Sequence, residues 1–226
     1  MDNNNIDNNI DNNNIDTLYD HYKDSFGLQK ESLKKRNLYT YALLAIIFVF
    51  SFQQQERMNF EFIVDNLIKD KIGVVKIRIT YVNTIINVVY LLLMMSYYQI
   101  SLNIERLYTY IHKLENTLSQ QGCKIEREGC NYLNLYPWML WLVHRVYQWG
   151  LPIGLIVVSF LQINEFYEIN LGLYKVINIL LFSFSIIISL LYISYIHLHE
   201  EYFDKQKWPD IIWYKRLLYY FIGHNN

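Results

Sequence analysis

Four stretches of the chain are long, apolar and free of Asp, Glu, Lys, Arg and His: residues 37–55, 79–102, 146–164 and 176–196. A helix needs about 20 apolar residues to cross a bilayer core, and each stretch is close to that length or longer. Soluble helices usually carry a polar face, whereas the serines of the fourth stretch are scattered. The pattern predicts an all-α polytopic membrane protein with about four transmembrane helices. The alternative is four buried helices of a soluble domain.

Lys and Arg residues indicate how the chain crosses the membrane, because cytoplasmic loops carry an excess of them. Lys34, Lys35 and Arg36 lie directly before the first stretch, which predicts a cytoplasmic N-terminus. With four spans, the connection at 103–145 and the C-terminal tail are then cytoplasmic too, and the three regions hold 14 of the 20 Lys and Arg residues. The net charge of −1 gives no overall field of the kind that nucleic-acid binders use.

The rest of the sequence divides around these stretches. Residues 2–16 are an Asn- and Asp-rich repeat, a composition that predicts disorder. Residues 17–36 are compatible with a short surface helix that is broken near Gly27. The predicted segments are a disordered tail (1–16), an N-terminal cytoplasmic segment (17–36), two spans (37–102), a cytoplasmic helical module (103–145), two further spans (146–196) and an amphipathic cytoplasmic tail (197–226).

The second stretch is predicted to continue as a long cytoplasmic helix. No Gly or Pro occurs between residues 79 and 119, and Gly122 marks a stop. Apolar residues follow at alternating steps of three and four, which forms a heptad seam: Tyr97, Ile100, Ile104, Leu107, Ile111, Leu114 and Leu118. The seam indicates either a homo-oligomer with this helix near its axis or packing against another helix of the same chain.

A polar stripe runs along the membrane part of the same helix. Its residues Thr80, Asn83, Thr84 and Asn87 are spaced to fall on one face, roughly the face of the seam. Tyr90 and Met94 follow toward the seam, and they complete the predicted pore lining. If copies of the helix surround an axis, the stripe lines a pore whose inner half is apolar, and apolar constrictions can gate by dewetting. The alternative is that the Asn and Thr side chains only form hydrogen bonds to neighbouring helices.

Basic and aromatic residues gather in the cytoplasmic connection. They can hold a nucleotide or a short single strand through phosphate contacts and base stacking: Arg106, Tyr108, Tyr110, His112, Lys113, Lys124, Arg127 and Tyr132. The alternative is a solvated face near anionic lipid headgroups.

Signals for catalysis, metals or cofactors are weak, so we expect no enzyme, no metal site and no cofactor. Arg106 and His112 have the spacing found in HEPN-type ribonucleases, but this short motif occurs often by chance. Cys123 and Cys130 match no usual zinc pattern. The absence of ionisable residues from the spans disfavours a proton-coupled or charge-coupled transporter.

The segments NIERLYTYIHKLENTLS and IEREGCNYLNLYP, followed by an aromatic third span, form a pattern over roughly residues 80–165. This pattern resembles the channel-type membrane effector of Hailong-like bacterial antiphage systems. The multi-spanning accessory protein of type VI-B CRISPR systems is a second similar family. The first resemblance implies an oligomeric ion channel in the bacterial inner membrane that depolarises the infected cell. It also implies control by a DNA oligomer that a partner nucleotidyltransferase makes.

These observations support three functional hypotheses. The first is an oligomeric membrane channel or pore that a cytoplasmic ligand gates. The second is a membrane-anchored scaffold that recruits a cytoplasmic protein partner through residues 103–137. The third is a small-molecule transporter. The lipid bilayer is a predicted partner in all three.

Overall fold

A computed structural model describes residues 3–72, 79–122, 138–168 and 172–204. Within these ranges the chain is almost entirely helical and contains no strand. The helices are α1 (Asn3–Gln55), α2 (Arg57–Ile72), α3 (Ile79–Gln120), α4 (Trp138–Arg145), a π-helical turn (Val146–Gly150), α5 (Leu151–Glu168) and α6 (Leu173–Asp204). The all-α prediction is therefore confirmed for the described residues.

Four helical segments are long and apolar enough to cross a membrane: Ile15–Gln55, Tyr81–Gln120, Leu142–Phe166 and Leu173–Ile196. They contain the four stretches that the sequence singled out, apart from two residues at the start of the second. The chain divides into two compact units. The helix-pair unit comprises Met1–Ala42 with Ser96–Leu142, and the span unit comprises Leu43–Met95 with Val143–Asn226.

The span unit has an inverted distribution of polarity. Its surface exposes large apolar side chains, including Leu44, Phe48, Ile85, Leu92, Phe160, Leu180 and Ile187. Its interior contains neutral polar side chains, including Asn87, Gln148, Ser159, Gln162, Asn178, Ser185 and Ser189. A soluble domain buries its large apolar side chains and does not expose them over a wide surface. This arrangement fits a lipid environment around the unit.

The helix-pair unit differs from the span unit in its surface, which carries many charged side chains, and it contains an apolar cluster. Tyr22 of α1 packs with Ile111, Leu114 and Leu118 of α3, and Ile15 and Leu18 pack against this cluster. Charged side chains of α1 face outward, among them Asp20, Lys23, Asp24, Lys30, Glu31 and Lys34. An apolar interior with a charged exterior is the usual arrangement of helices in water.

The first helix differs from the expectations for the N-terminal region. It begins at Asn3, so most of the repeat with a disorder-prone composition lies within α1. The helix also continues through Gly27, where we expected a break, and a Cβ there would meet no atom within 4 Å. A glycine in an exposed helix costs only about 1 kcal/mol relative to alanine. The contacts of Ile15, Leu18 and Tyr22 provide packing at the end of the repeat.

Two local features of the backbone are explained by a nearby glycine or proline. The helix α3 ends at Gln120, and Gly122 adopts φ +89°, a left-handed conformation that suits glycine at a helix end. At the start of the third span, the amide of Leu151 donates to the carbonyl of Val146, which closes the π-helical turn. Pro152 follows directly and has no amide to donate to residue 148, so an ordinary α-turn is incomplete at this point.

Candidate functional site

A polar core lies inside the span unit, centred on the amide side chains of Asn87 and Asn178. The Asn87 Nδ2 atom of α3 donates to Asn178 Oδ1 of α6 at 3.1 Å. The Asn178 Nδ2 atom donates to Thr84 Oγ1 at 3.3 Å. Asn87 is 3% exposed and Asn178 is fully buried. The stripe of α3 is therefore joined to α6 by two hydrogen bonds between side chains.

Tyr90 extends the polar core to α5. Its hydroxyl donates to the backbone carbonyl of Leu155 at 3.1 Å and lies 3.2 Å from Ser159 Oγ. A tyrosine hydroxyl has one proton. Once that proton is given to the Leu155 carbonyl, the Ser159 hydroxyl is the donor in the second contact. Tyr90 and Ser159 are both buried.

Met94 continues the stripe without a strong hydrogen bond. The Ser189 hydroxyl lies 3.6 Å from the Met94 sulfur and 2.9 Å from the Ser185 carbonyl. A serine also has a single proton, and a carbonyl oxygen is a better acceptor than a thioether. The Ser189 proton therefore belongs to the Ser185 carbonyl, and Met94 contributes packing.

An aromatic cluster closes around Tyr90. The Phe50 ring of α1 lies 5.5 Å from the Tyr90 ring and 5.9 Å from the Phe182 ring, both edge to face. Phe166 stacks on Phe182 with ring centroids 6.2 Å apart. All four aromatic side chains are buried. The polar core is consequently bordered by a cluster of buried aromatic rings.

The predicted pore-lining residues divide into three groups. Thr84, Asn87 and Tyr90 form hydrogen bonds to α5 or α6 of the same chain. Met94 is fully buried, and Asn83 is half-buried with no hydrogen-bond partner for its Oδ1 atom. The side chain of Thr80 lies outside the described residues. Of the two interpretations, the described contacts match hydrogen bonding between neighbouring helices, and whether the stripe lines a pore stays a prediction.

Three core residues were not singled out from the sequence. Asn178, Ser185 and Ser189 are spaced by 7 and 4, so they share one face of α6, and all three are buried. This spacing was the signal that could have identified them. Asn178 pairs with Asn87, 91 positions earlier, and Ser189 lies beside Met94, 95 positions earlier, and the sequence carries no signal of these two contacts.

The predicted oligomer seam is partly occupied within the chain. Ile111, Leu114 and Leu118 pack against Tyr22, whose hydroxyl also donates to Glu115 Oε1 at 3.2 Å. Among the other seam residues, Tyr97 and Ile104 are buried while Ile100 and Leu107 are half-buried. The described contacts of the seam thus fit the same-chain alternative, and none of them supports an oligomer.

The predicted ligand-binding residues separate onto different faces of α3. Arg106, Tyr110 and Lys113 are exposed and follow at steps of 4 and 3, so they share one face. Tyr108 and His112 are half-buried on another face. Lys124, Arg127 and Tyr132, together with Cys123 and Cys130, lie outside the described residues. Among the members of this set that the structure describes, Arg106, Tyr110 and Lys113 therefore share an exposed face, and their role in binding a ligand stays a prediction.

The chemistry of the polar core is that of neutral dipoles. No group of three or more His, Cys, Asp or Glu side chains that could hold a metal ion occurs among the residues that the structure describes. Amide and hydroxyl groups can replace part of the water around a solute or ion, and they carry no charge at any ordinary pH.

Comparison with known proteins identifies no relative. No family model, no curated protein and no solved structure matches the chain.

Proposed function

We propose that the protein is an oligomeric membrane channel or pore that opens in response to a cytoplasmic ligand. The observation that carries the proposal is the polar core of the span unit. Asn87, Asn178 and Ser159 are buried among helices whose outer surfaces are apolar. Neutral polar side chains of this kind hydrogen-bond between packed helices, and the same groups can line a water-filled path when the helices separate.

In this proposal the described structure is the closed state. The hydrogen bonds from Asn87 to Asn178 and from Tyr90 to Leu155 and Ser159 hold α3 against α6 and α5. Opening separates these helices and replaces the interhelical hydrogen bonds by water. The aromatic cluster of Phe50, Tyr90, Phe166 and Phe182 acts as the apolar constriction that dewets when closed.

The proposed ligand is a nucleotide or DNA oligomer, with Arg106, Tyr110 and Lys113 as the contacts among the described residues. Two cations flank an aromatic ring on one exposed helix face, which suits a phosphate backbone with a stacked base. The helix α3 carries both this face and the polar stripe. A ligand that binds α3 more tightly in the open state would shift the equilibrium toward opening.

The oligomer is part of the same proposal. Gly150 and Gly154 lie on an exposed face of the third span, and a Cβ at Gly154 would meet no atom within 4 Å. A GxxxG spacing in a span permits close approach of another helix. The proposed location is the bacterial inner membrane with both termini cytoplasmic, and the proposed role is antiphage defence by loss of membrane potential. These last points rest on the Lys and Arg distribution and on the resemblance.

The experiment is a conductance measurement with purified protein in planar bilayers. We expect discrete current steps, and we expect Asn87→Leu to change their size or frequency. The matched control is Asn164→Leu, which makes the same chemical change on an exposed face of α5. Absence of current with and without nucleotides or short DNA oligomers would contradict the channel. An equal response of both variants would remove Asn87 from the conduit.

The second candidate is a membrane-anchored scaffold. The exposed face of Arg106, Tyr110 and Lys113 on the helix-pair unit favours it, because such a face can also contact an acidic protein partner. A scaffold predicts that biological activity is lost with Arg106→Glu, is retained with Asn87→Leu, and is accompanied by no conductance. A channel predicts that both variants alter the current.

A further inference from the structure

The helical chain is interrupted at Glu56, where the first candidate span ends. Glu56 is the single non-helical residue between α1 and α2. Its amide donates to the Phe52 carbonyl, and its carbonyl accepts from the Phe60 amide, each at 2.9 Å. Hydrogen bonding between residues four apart therefore continues on both sides of the break. The Glu56 carboxylate also accepts from Asn59 Nδ2 at 2.9 Å. The break is thus confined to one residue, and both backbone and side-chain hydrogen bonds surround it.

The contact between Phe52 and Phe60 gives the direction of the bend. Residues eight apart in a straight helix are separated by about 12 Å along the axis, and both Cβ atoms tilt toward the N-terminus, so the rings keep that separation. The observed ring centroids are 6.3 Å apart. The rings therefore lie on the inner side of a bend between α1 and α2.

An apolar face of α2 continues from that inner side. Ile63, Val64 and Leu67 follow Phe60 at steps of 3, 4 and 7 and therefore share its face. Phe60 is buried against Phe52, Val64 is half-buried, and Ile63 and Leu67 are 45% and 58% exposed. Glu61 and Asp65 lie on the opposite side of the helix.

The bilayer surface is the partner that this face fits. The helix α1 leaves the membrane at its C-terminal end, so the inner side of a bend at that end faces the bilayer. The exposed apolar face of α2 lies on that same side and is continuous with the lipid-facing surface of α1. The helix carries three basic and three acidic residues, so attraction to anionic lipid is not the driving force.

We propose that α2 is an interfacial helix that lies on the membrane surface opposite the N-terminus, with Phe60, Ile63, Val64 and Leu67 toward the acyl chains. Burial of apolar side chains at the lipid boundary stabilises this position. The helix thereby fixes the ends of the first two spans at the interface. Phe62 takes no part, since it lies nearly opposite Phe60 and is 68% exposed.

The test uses spin labels on full-length protein in phosphatidylcholine vesicles. Single cysteines replace Leu67 or Phe62 in a background in which Cys123 and Cys130 are serine. Oxygen partitions into lipid and a nickel chelate stays in water, so the ratio of the two collision rates reports the surroundings of each label. We expect a ratio several-fold higher at Leu67 than at Phe62, with little change when anionic lipid is added.

The contrary outcomes are distinct. Frequent collisions of the Leu67 label with the nickel chelate would mean that the face is in water, and the proposal would be wrong. Low collision rates with both reagents at Leu67 would mean that protein covers the face, which also overturns it. The Ile63→Cys variant repeats the measurement if Leu67→Cys does not fold. None of these results depends on whether the protein conducts ions.

Discussion

The two units of the chain differ most in the side chains that they expose. In the helix-pair unit, Ile111 and Leu118 are fully buried while charged residues of α1 point outward. In the span unit, Asn87 and Asn178 are buried while large apolar residues point outward. The surface of the helix-pair unit thus suits water, and the surface of the span unit suits lipid. Burial of apolar surface lowers the free energy in water but not among lipid tails. In lipid, packing and hydrogen bonds therefore determine which helix faces are in contact.

The largest expected effect lies in the apolar cluster of the helix-pair unit. Ile111→Ala removes a fully buried side chain, so we expect a loss of about 3 kcal/mol in local stability. Amide hydrogen exchange along the end of α3 in nanodiscs measures it. Tyr110→Ala is the control, because Tyr110 is exposed and its truncation should change stability by no more than about 0.5 kcal/mol. Similar effects of the two variants would remove the contrast between the faces of α3.

The second effect concerns the amide pair of the span unit. Asn178→Leu removes two buried hydrogen bonds, one from Asn87 and one to Thr84, which should cost about 2 kcal/mol of unfolding free energy. Unfolding in mixed detergent micelles measures the change. Asn164→Leu makes the same replacement at an exposed position of α5 and should be neutral or stabilising. A stable Asn178→Leu variant would show that the polar core is not a structural requirement.

A smaller effect is expected at Tyr90. Tyr90→Phe keeps the ring among Phe50 and Phe182 but removes the hydrogen bonds to Leu155 and Ser159. We expect a loss of about 1 kcal/mol, measured by the same micelle unfolding. Tyr81→Phe is the matched control, since Tyr81 is partly exposed and its edge-to-face contact with Tyr174 survives the change. Equal losses would assign the effect to the hydroxyl as such and not to its place in the core.

The smallest effect concerns the surface ion pair of α1, where Lys35 Nζ lies 2.7 Å from Glu31 Oε1. The hydrogen bond and the charge of Lys35 lower the pKa of Glu31, and the same partner raises the pKa of Lys35. Because the folded-state pKa of Glu31 is lowered, its contribution to stability is present above the ordinary glutamate pKa. That contribution is lost as pH falls through the lowered value.

At high pH the contribution of Lys35 to stability changes with pH in the opposite direction. Since the pKa of Lys35 is raised in the folded state, its contribution is present below the ordinary lysine pKa and is lost as pH rises through the raised value. Both groups are exposed, so salt should weaken the effect. NMR titration of the Glu31 carboxyl should show a higher pKa in Lys35→Met than in the native chain. An unchanged pKa would mean that the pair does not persist in solution.

The sequence predicted the four spans because charge is absent from long apolar stretches, and the structure has four helices that are long and apolar enough to cross a membrane at these positions. It also placed Ile111, Leu114 and Leu118 on one buried face of α3. Their partner, Tyr22, was not identified, because the adjoining repeat has a composition typical of disorder. The spacing of Ile15, Leu18 and Tyr22 by 3 and 4 was the overlooked signal.

The candidate site was only half predictable. The α3 stripe is visible as a local periodicity, so Thr84, Asn87 and Tyr90 could be named in advance. The partner of Asn87 depends on which face of α6 turns toward α3, and a hydrogen bond across 91 positions leaves no local trace in one sequence. The π-helical turn before Pro152 was likewise missed, because an apolar pattern does not distinguish it from an ordinary helix.

The most direct test of the proposed conduit is the accessibility of Asn87 while current flows. In a background with serine at positions 123 and 130, Asn87→Cys and Val88→Cys are compared in planar bilayers. Asn87 is buried in the polar core, and the neighbouring Val88 is 38% exposed on the outer surface. A small cationic thiol reagent should reduce the current through Asn87→Cys and leave Val88→Cys unaffected. Undiminished current in Asn87→Cys after prolonged exposure to the reagent in the open state would contradict the account.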